Sequence, residues 1–292
     1  MKIQHINILE NQILAPYAHT QAGGLVDFLA LPKTHHELAI LAQWATEQQL
    51  PIHIFGRLSN LVVRDGGLRG LTILTQDMRS ITVEGNVITA DAGADLIITA
   101  EVAMEHGLSG LEWAAGIPGS VGGAVFMNAG AYGGQCDLVV QAVTALMPDG
   151  QLLEFDGAQL DFGYRQSVFQ ENGGIIISAQ FMLQPDDRQA IRSRMDDFNF
   201  KRANKQPLNY PSNGSVFKRP EGHFAGKLIM DAGLQGTRVG GVEVSKKHAG
   251  FMVNVNNGSG NDYEALIHLV QERVQSKFGV TLETEVRILG DN

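Results

Sequence analysis

The 292-residue chain has a single cysteine, Cys136, so no internal disulfide is available. Its first residues, MKIQHINILENQ, contain no apolar core of signal-peptide length. Both absences point to a reducing cytoplasm. Cations are also scarce: 22 Lys and Arg face 31 Asp and Glu, a formal charge of −9. No stretch concentrates enough of them to neutralise several phosphates of a polymer, which argues against nucleic acid as a partner. The nine histidines are scattered, no HExxH occurs, and no cysteines are spaced as ligands, so a zinc or iron centre has no support. Charged residues make up 18%, below the usual ~25%. With 44% hydrophobic residues the chain can still bury a sizeable core, which excludes a disordered polymer or a coiled coil. Its length fits two domains, or one large domain with a satellite. Internal repeats and low-complexity tracts are absent.

One absence of charge imitates a membrane span. From Trp113 to Cys136 there are 24 uncharged residues, enough to cross ~30 Å of hydrocarbon as a helix. Seven of them are glycine, Pro118 is interior, and Ser120, Asn128 and Gln135 are polar, which predicts a buried loop system hugging a ligand and no membrane partner. Glycine is the residue in excess, 34 where average usage gives about 20. Twenty-three of these lie in three blocks, 56–70, 107–134 and 214–260. Their neighbours are Val, Ile, Leu, Ala and Phe, so the blocks read as packed, tightly turning backbone and not as linkers.

The remaining pattern is α+β. Thr34 and Glu37 form a capping-box signature ahead of Leu38, Leu41, Ala42 and Ala45 at helical spacing. Strands are predicted at 52–55 and 61–63, flanking the loop 56–60. Hairpins are predicted over 81–89 and 143–155, and a strand over 175–183. Asp95 caps a helix running to His106 and stopped by Gly107. A helix from about Asp187 to Phe200 carries Ile191, Met195 and Phe198 on one stripe, and the domain boundary is drawn at its start. Asp262 caps an amphipathic helix that ends at Gly279. The last strand, 280–289, turns Leu282, Thr284, Val286 and Ile288 one way and Glu283, Glu285 and Arg287 the other.

Five constellations are chemically suggestive, and each has a plainer alternative. Gly116 to Gly123 is neither a Walker A loop nor a GxGxxG fingerprint. It is either a set of tight turns or a nest of backbone N–H groups for an anion such as pyrophosphate. Gly56 to Asn60 adds Ser59 and Asn60 as short donors. Arg165, within Phe162-Gly163-Tyr164-Arg165, is either a surface cation or a bidentate clamp for a carboxylate or phosphate. Ser215, within Asn213-Gly214-Ser215-Val216-Phe217-Lys218, is either a turn serine or a proton donor. It is no nucleophile elbow, since residue 217 is Phe. Glu283 and Glu285, beside Arg287, are either solvated ion pairs or groups facing a cleft.

Taken in order, seven blocks resemble the UDP-N-acetylenolpyruvoylglucosamine reductase family over roughly Thr20 to Gly290. They are GGLVDFL, SNLVVRDGGLRG, GLEWAAGIPGSVGGAVFMNAGAYGG, FGYRQSVF, GSVFKRP, AGKLIMDAGLQG and LETEVRILG. The resemblance implies an FAD-binding fold of the vanillyl-alcohol oxidase type, made of two α+β subdomains (about 1–70 and 71–187). A C-terminal α+β substrate domain, 188–292, would follow. It implies an oxidoreductase with non-covalent FAD, NADPH as hydride donor and a nucleotide-sugar substrate, a cytoplasmic UDP-N-acetylmuramate dehydrogenase of peptidoglycan precursor synthesis. A monomer is favoured. Ser215 is implied as the proton donor, with Arg165 and Glu285 polarising the substrate carboxylate, and Tyr164, Lys218 and Arg219 in contact with substrate. Lys218 is the candidate neighbour to prepare Ser215. Gly56, Arg57, Ser59, Asn60, Gly116, Pro118, Gly119, Ser120, Val121, Gly122 and Gly123 are implied to hold the flavin, with Val121 near its ring system. Two positions depart from the family pattern: Leu58 replaces a small residue beside the expected pyrophosphate path, where Arg57 adds charge, and Arg219 stands where some members have asparagine. The short spacing from FGYR to GSVFK implies the shorter type, lacking an extra loop that closes over substrate. The competing readings are another flavoprotein of this fold acting on sugars or lactones, and a non-catalytic flavin or nucleotide-sugar sensor.

Overall fold

The computed structural model describes residues 1–292 as two compact units. The first comprises 1–9, 29–57 and 71–202, and the second 10–28, 58–70 and 203–292.

Five antiparallel strands dominate the first unit, in the order 152–156, 140–146, 175–182, 87–91 and 81–84. Both predicted hairpins are present in it, with Glu84 opposite Val87 and Leu146 opposite Leu152. Helix α1 (His35–Glu47) begins as its sequence dictates: Thr34 Oγ1 accepts from the Glu37 N–H at 3.1 Å, and Leu38, Leu41, Ala42 and Ala45 are its buried face. Strand 52–55 pairs in parallel with 71–74, which leaves the loop at Gly56 projecting from a strand end. Helix α2 (Leu96–Glu105) is capped by Asp95 and stopped before Gly107, at φ +66°. The uncharged stretch is not wholly loop, because it contains the short helix α3 (Val121–Phe126), capped by Ser120, and a two-residue hairpin at 130–135. No helix is long and apolar enough to cross a membrane. Ala92, Ala100, Trp113, Val121, Val125, Val143 and Phe181 lie in the core between sheet and helices.

In the second unit a four-stranded antiparallel sheet runs in the order 212–215, 251–254, 242–244 and 238–239. Helix α6 (Gly260–Phe278) buries Tyr263, Leu266, Ile267, Val270 and Val274 against it, and α5 (Ala225–Asp231) adds Leu228 and Ile229. The cap of α6 is Ser259, not Asp262: Asp262 is its third residue and returns the bond by accepting from the Ser259 N–H at 3.1 Å. Only 287–289 of the expected final strand is regular, paired in parallel with 61–63.

Contacts divide the chain differently from the linear expectation of 1–187 and 188–292. Helix α4 (Arg188–Lys205) belongs to the first unit through Arg202, because Ile191 and Met195 join that core. Segments 10–28 and 58–70 belong to the second. There the Asn254 amide donates to the Thr20 carbonyl at 3.0 Å, and Arg64 makes a fork to Glu264 at 2.6 and 2.7 Å.

Candidate active site

Two glycine loops meet in the first unit. A Cβ on Gly56 would lie 1.9 Å from Ser120 Oγ, so only glycine allows this approach. Arg57 pairs with Asp95, Nη2 to Oδ2 at 2.9 Å, while Asp95 Oδ1 caps α2 and the backbones of Asp95 and Ser120 form a bridge. The expected nest is smaller than its sequence suggests. Val121 and Gly122 donate their N–H groups to Ala94 and Ala92 at 2.9 and 2.8 Å, and Gly123 donates to Ser120 Oγ at 3.2 Å. The amides of Gly119 and Ser120 have no acceptor in the chain, and Pro118 beside them is exposed. Val121 is wholly buried in the core, and its amide is taken up by the Ala94 carbonyl. Gly122 is glycine because a Cβ would strike Ala92 at 2.8 Å, and Gly116 because one would strike Asn199 and Arg202 at 2.5 and 2.6 Å.

Loop 56–60 keeps its amides open as well, since no acceptor in the chain meets the N–H of Arg57, Leu58, Ser59 or Asn60. Leu58 takes the left-handed conformation, φ +46°, with its side chain buried. Arg57 Nε is itself buried without a partner. Within the first unit, the open amides of Arg57, Gly119 and Ser120, the Arg57 cation and the Asp95 carboxylate that it neutralises form a donor set suited to a diphosphate, so these residues fit the FAD that the sequence implies.

The FGYR turn is fastened to the other end of the uncharged stretch. Buried Asn128 donates from Nδ2 to the Gly163 carbonyl at 2.9 Å and accepts from the Asp137 N–H at 3.0 Å. Arg165, φ +58°, reaches the carbonyls of Asn128 and Gly130 at 3.5 and 3.3 Å, and its guanidinium lies 5.0 Å from the centre of the exposed Tyr164 ring. Gln170 holds the Arg165 carbonyl at 2.9 Å. Sequence reasoning quoted Asn128 without giving it this work, and missed Gln170. Their signal, a lone amide in an apolar or aromatic run, is weak without coordinates.

In the second unit Ser215 and Glu285 are drawn together by main-chain bonds. The Val216 carbonyl accepts from Glu285 N–H at 2.8 Å, and Lys218 N–H donates to the Glu283 carbonyl at 2.9 Å. Asn60 Nδ2 donates to the Glu285 carbonyl at 3.2 Å. Glu283 is exposed and Glu285 half-buried, so the two carboxylates differ in setting. Ser215 is exposed at the end of a bulged strand, with Gly214 at φ +75° before it and no hydrogen bond to its hydroxyl within the chain. The Lys218 ammonium lies 3.5 Å from Glu283 Oε2. Arg219 stacks 4.1 Å from the centre of exposed Phe224.

Fold and donor set together define a flavin-binding oxidoreductase. Residues 26–156 match the family described as FAD binding domain, and residues 206–289 match UDP-N-acetylenolpyruvoylglucosamine reductase, C-terminal domain. The chain is 72% identical, over 100% of both chains, to the UDP-N-acetylenolpyruvoylglucosamine reductase of Leuconostoc mesenteroides. The crystal structure of the reductase of that name from Thermus caldophilus superposes with a TM-score of 0.84 at 33% identity, over 97% of this chain and 99% of that one. A solvent-stable cholesterol oxidase, 16% identical with a TM-score of 0.50 over 63% of this chain and 39% of that one, shares the fold alone. The chain belongs to the UDP-N-acetylenolpyruvoylglucosamine reductase family, and it is an FAD-dependent oxidoreductase. The fold class expected from sequence, an FAD-binding α+β fold with a C-terminal α+β domain, is the one observed.

Proposed function

We propose that the protein reduces the enolpyruvyl ether of UDP-N-acetylglucosamine enolpyruvate to the lactyl ether of UDP-N-acetylmuramate. NADPH is the source of hydride, and the reaction serves cytoplasmic peptidoglycan precursor synthesis. FAD, when bound, supplies the two-electron carrier between nicotinamide and substrate. Gly56, Arg57, Gly116, Pro118, Gly119 and Ser120 hold it, with Ser59 and Asn60 on the same loop as Arg57.

Hydride addition at the terminal methylene carbon leaves negative charge on the adjacent carbon and its carboxylate. Arg165 and Glu285 take the role of polarising that carboxylate, interactions that strengthen as charge develops. Ser215 Oγ delivers a proton to the adjacent carbon, converting CH2=C to CH3–CH, and recovers one from solvent. Tyr164, Lys218 and Arg219 bind the remainder of the nucleotide sugar. The observation that carries the reading is the pair of bonds through the Val216 carbonyl and Asn60, which fixes half-buried Glu285 one residue from the unencumbered hydroxyl of Ser215.

The FAD-loaded protein is expected to oxidise NADPH in sustained turnover only when the enolpyruvyl nucleotide sugar is present. In stopped flow, Ser215→Ala keeps flavin reduction by NADPH near the wild-type rate. It slows reoxidation by substrate about 10²- to 10⁴-fold, the usual worth of a positioned acid. Equal loss in both half-reactions would make Ser215 structural.

A further inference from the structure

Arg202, the last residue of the first unit, has 3% of its surface exposed. Its Nη2 donates to the Trp113 carbonyl at 2.5 Å and its Nη1 to Asn199 Oδ1 at 3.3 Å. Its guanidinium carbon lies 5.0 Å from the centre of the Tyr132 ring, which stacks in turn on Phe198 at 4.8 Å. Every one of these partners is neutral. Other arginines of the fold are matched by acids: Arg64 by Glu264, Arg192 by Glu101 and Arg194 by Glu112. Burial lowers the Arg202 pKa, yet a guanidinium keeps its proton at neutral pH.

A buried cation without an acid is costly to the folded protein, and its location shows what could offset the cost. A Cβ on Gly116 would come within 2.6 Å of Arg202 Nη1. The charge therefore sits against Gly116, three residues before the open amides of Gly119 and Ser120 on the same loop. Those amides and this cation favour the same thing, negative charge lying on the loop.

We propose that Arg202 is a positioning residue for the cofactor, a fixed counter-charge behind Gly116 to the negative charge of FAD. The inference rests on the assignment of FAD to this loop. That charge has two sources, the diphosphate, present in both oxidation states, and the ring system, which becomes anionic on reduction.

The test uses the full-length protein stripped of FAD, as wild type, Arg202→Met, Arg202→Gln and Arg202→Lys. Without FAD, Arg202→Met is expected to melt at the wild-type temperature or above, because an apolar side chain of similar length removes an unpaired buried charge. Its dissociation constant for FAD is expected to rise at least tenfold, and Arg202→Lys to bind FAD at least tenfold more tightly than Arg202→Gln. If the diphosphate is the charge held, the midpoint potential of the loaded variants stays at the wild-type value. If the reduced ring is held, the potential of Arg202→Met falls by about 30 mV per tenfold selective loss of reduced-form affinity. A merely structural arginine would instead lower the melting temperature of the FAD-free protein and leave FAD affinity within threefold and the potential unchanged, which overturns the proposal. Should Arg202→Met fail to fold, equal FAD affinity in the Lys and Gln variants overturns it as well. Wild-type protein that takes up no FAD would refute the cofactor assignment itself, a separate result.

Discussion

Leu58 shows how one residue satisfies two opposed demands. Its φ of +46° is a conformation in which a leucine costs roughly 1–2 kcal/mol, while only 2% of its surface is exposed. Removing a buried leucine side chain costs about 2–5 kcal/mol, so packing outweighs backbone strain. Leu58→Gly is therefore expected to lower stability by about 1–3 kcal/mol, measured by urea unfolding of the FAD-free protein. An unchanged or raised midpoint would mean that the strain is the larger quantity. Ser215 makes the complementary case, since a free hydroxyl beside a glycine at φ +75° contributes little to holding the fold. The loss expected of Ser215→Ala thus falls on chemistry and not on unfolding.

Among the elements, the helices follow local sequence most closely. Thr34 and Asp95 cap α1 and α2 where their spacing places them, and the apolar stripe of α1 is its buried face. At α6 local sequence admits two registers, because Ser259 and Asp262 are both good caps. The reciprocal box, together with the Gly241 N–H donating to Asp262 Oδ2 at 3.0 Å, selects Ser259. Ser259→Ala is expected to cost about 1 kcal/mol, seen as a lower melting temperature. A loss below about 0.3 kcal/mol would assign the start of α6 to Asp262 instead. The last strand departs from its pattern for a tertiary reason. Leu282 and Val286 are buried as the alternation requires, yet the main chain at 283–286 bonds to the Val216–Lys218 segment and leaves regular pairing to 287–289.

For the whole molecule, acid stability depends on a carboxylate that ties distant segments of the first unit together. Burial would raise the pKa of Glu112, but Arg194 at 2.7 Å, with the Gly110 N–H and Ser109 hydroxyl each at 2.8 Å, overcomes burial and holds it below the usual range. A depressed carboxylate stabilises the fold fully above its unfolded pKa of about 4.3, and this contribution is lost as pH falls through the lower folded value. Unfolding in urea from pH 7 to 3 is expected to show stability declining below about pH 4.5, and more shallowly in Glu112→Gln. Parallel curves would remove Glu112 from the acid response.

The sequence by itself determined the α+β class, the caps of α1 and α2, both hairpins of the first unit and the seven ordered blocks that carry the family. These rest on local periodicity, capping chemistry and glycine placement, which neighbouring residues set among themselves. Only the tertiary structure decided which amides remain open. Val121 and Gly122 lose theirs to Ala94 and Ala92, residues of a separate segment, while Gly119 and Ser120 keep theirs. It also decided that Lys218 serves Glu283, that segments 10–28 and 58–70 fold with the C-terminal residues, and that Arg202 is buried without an acid. Each of these turns on a contact between residues far apart in the chain, and the spacing of residue types along a strand or helix carries no record of what will face it.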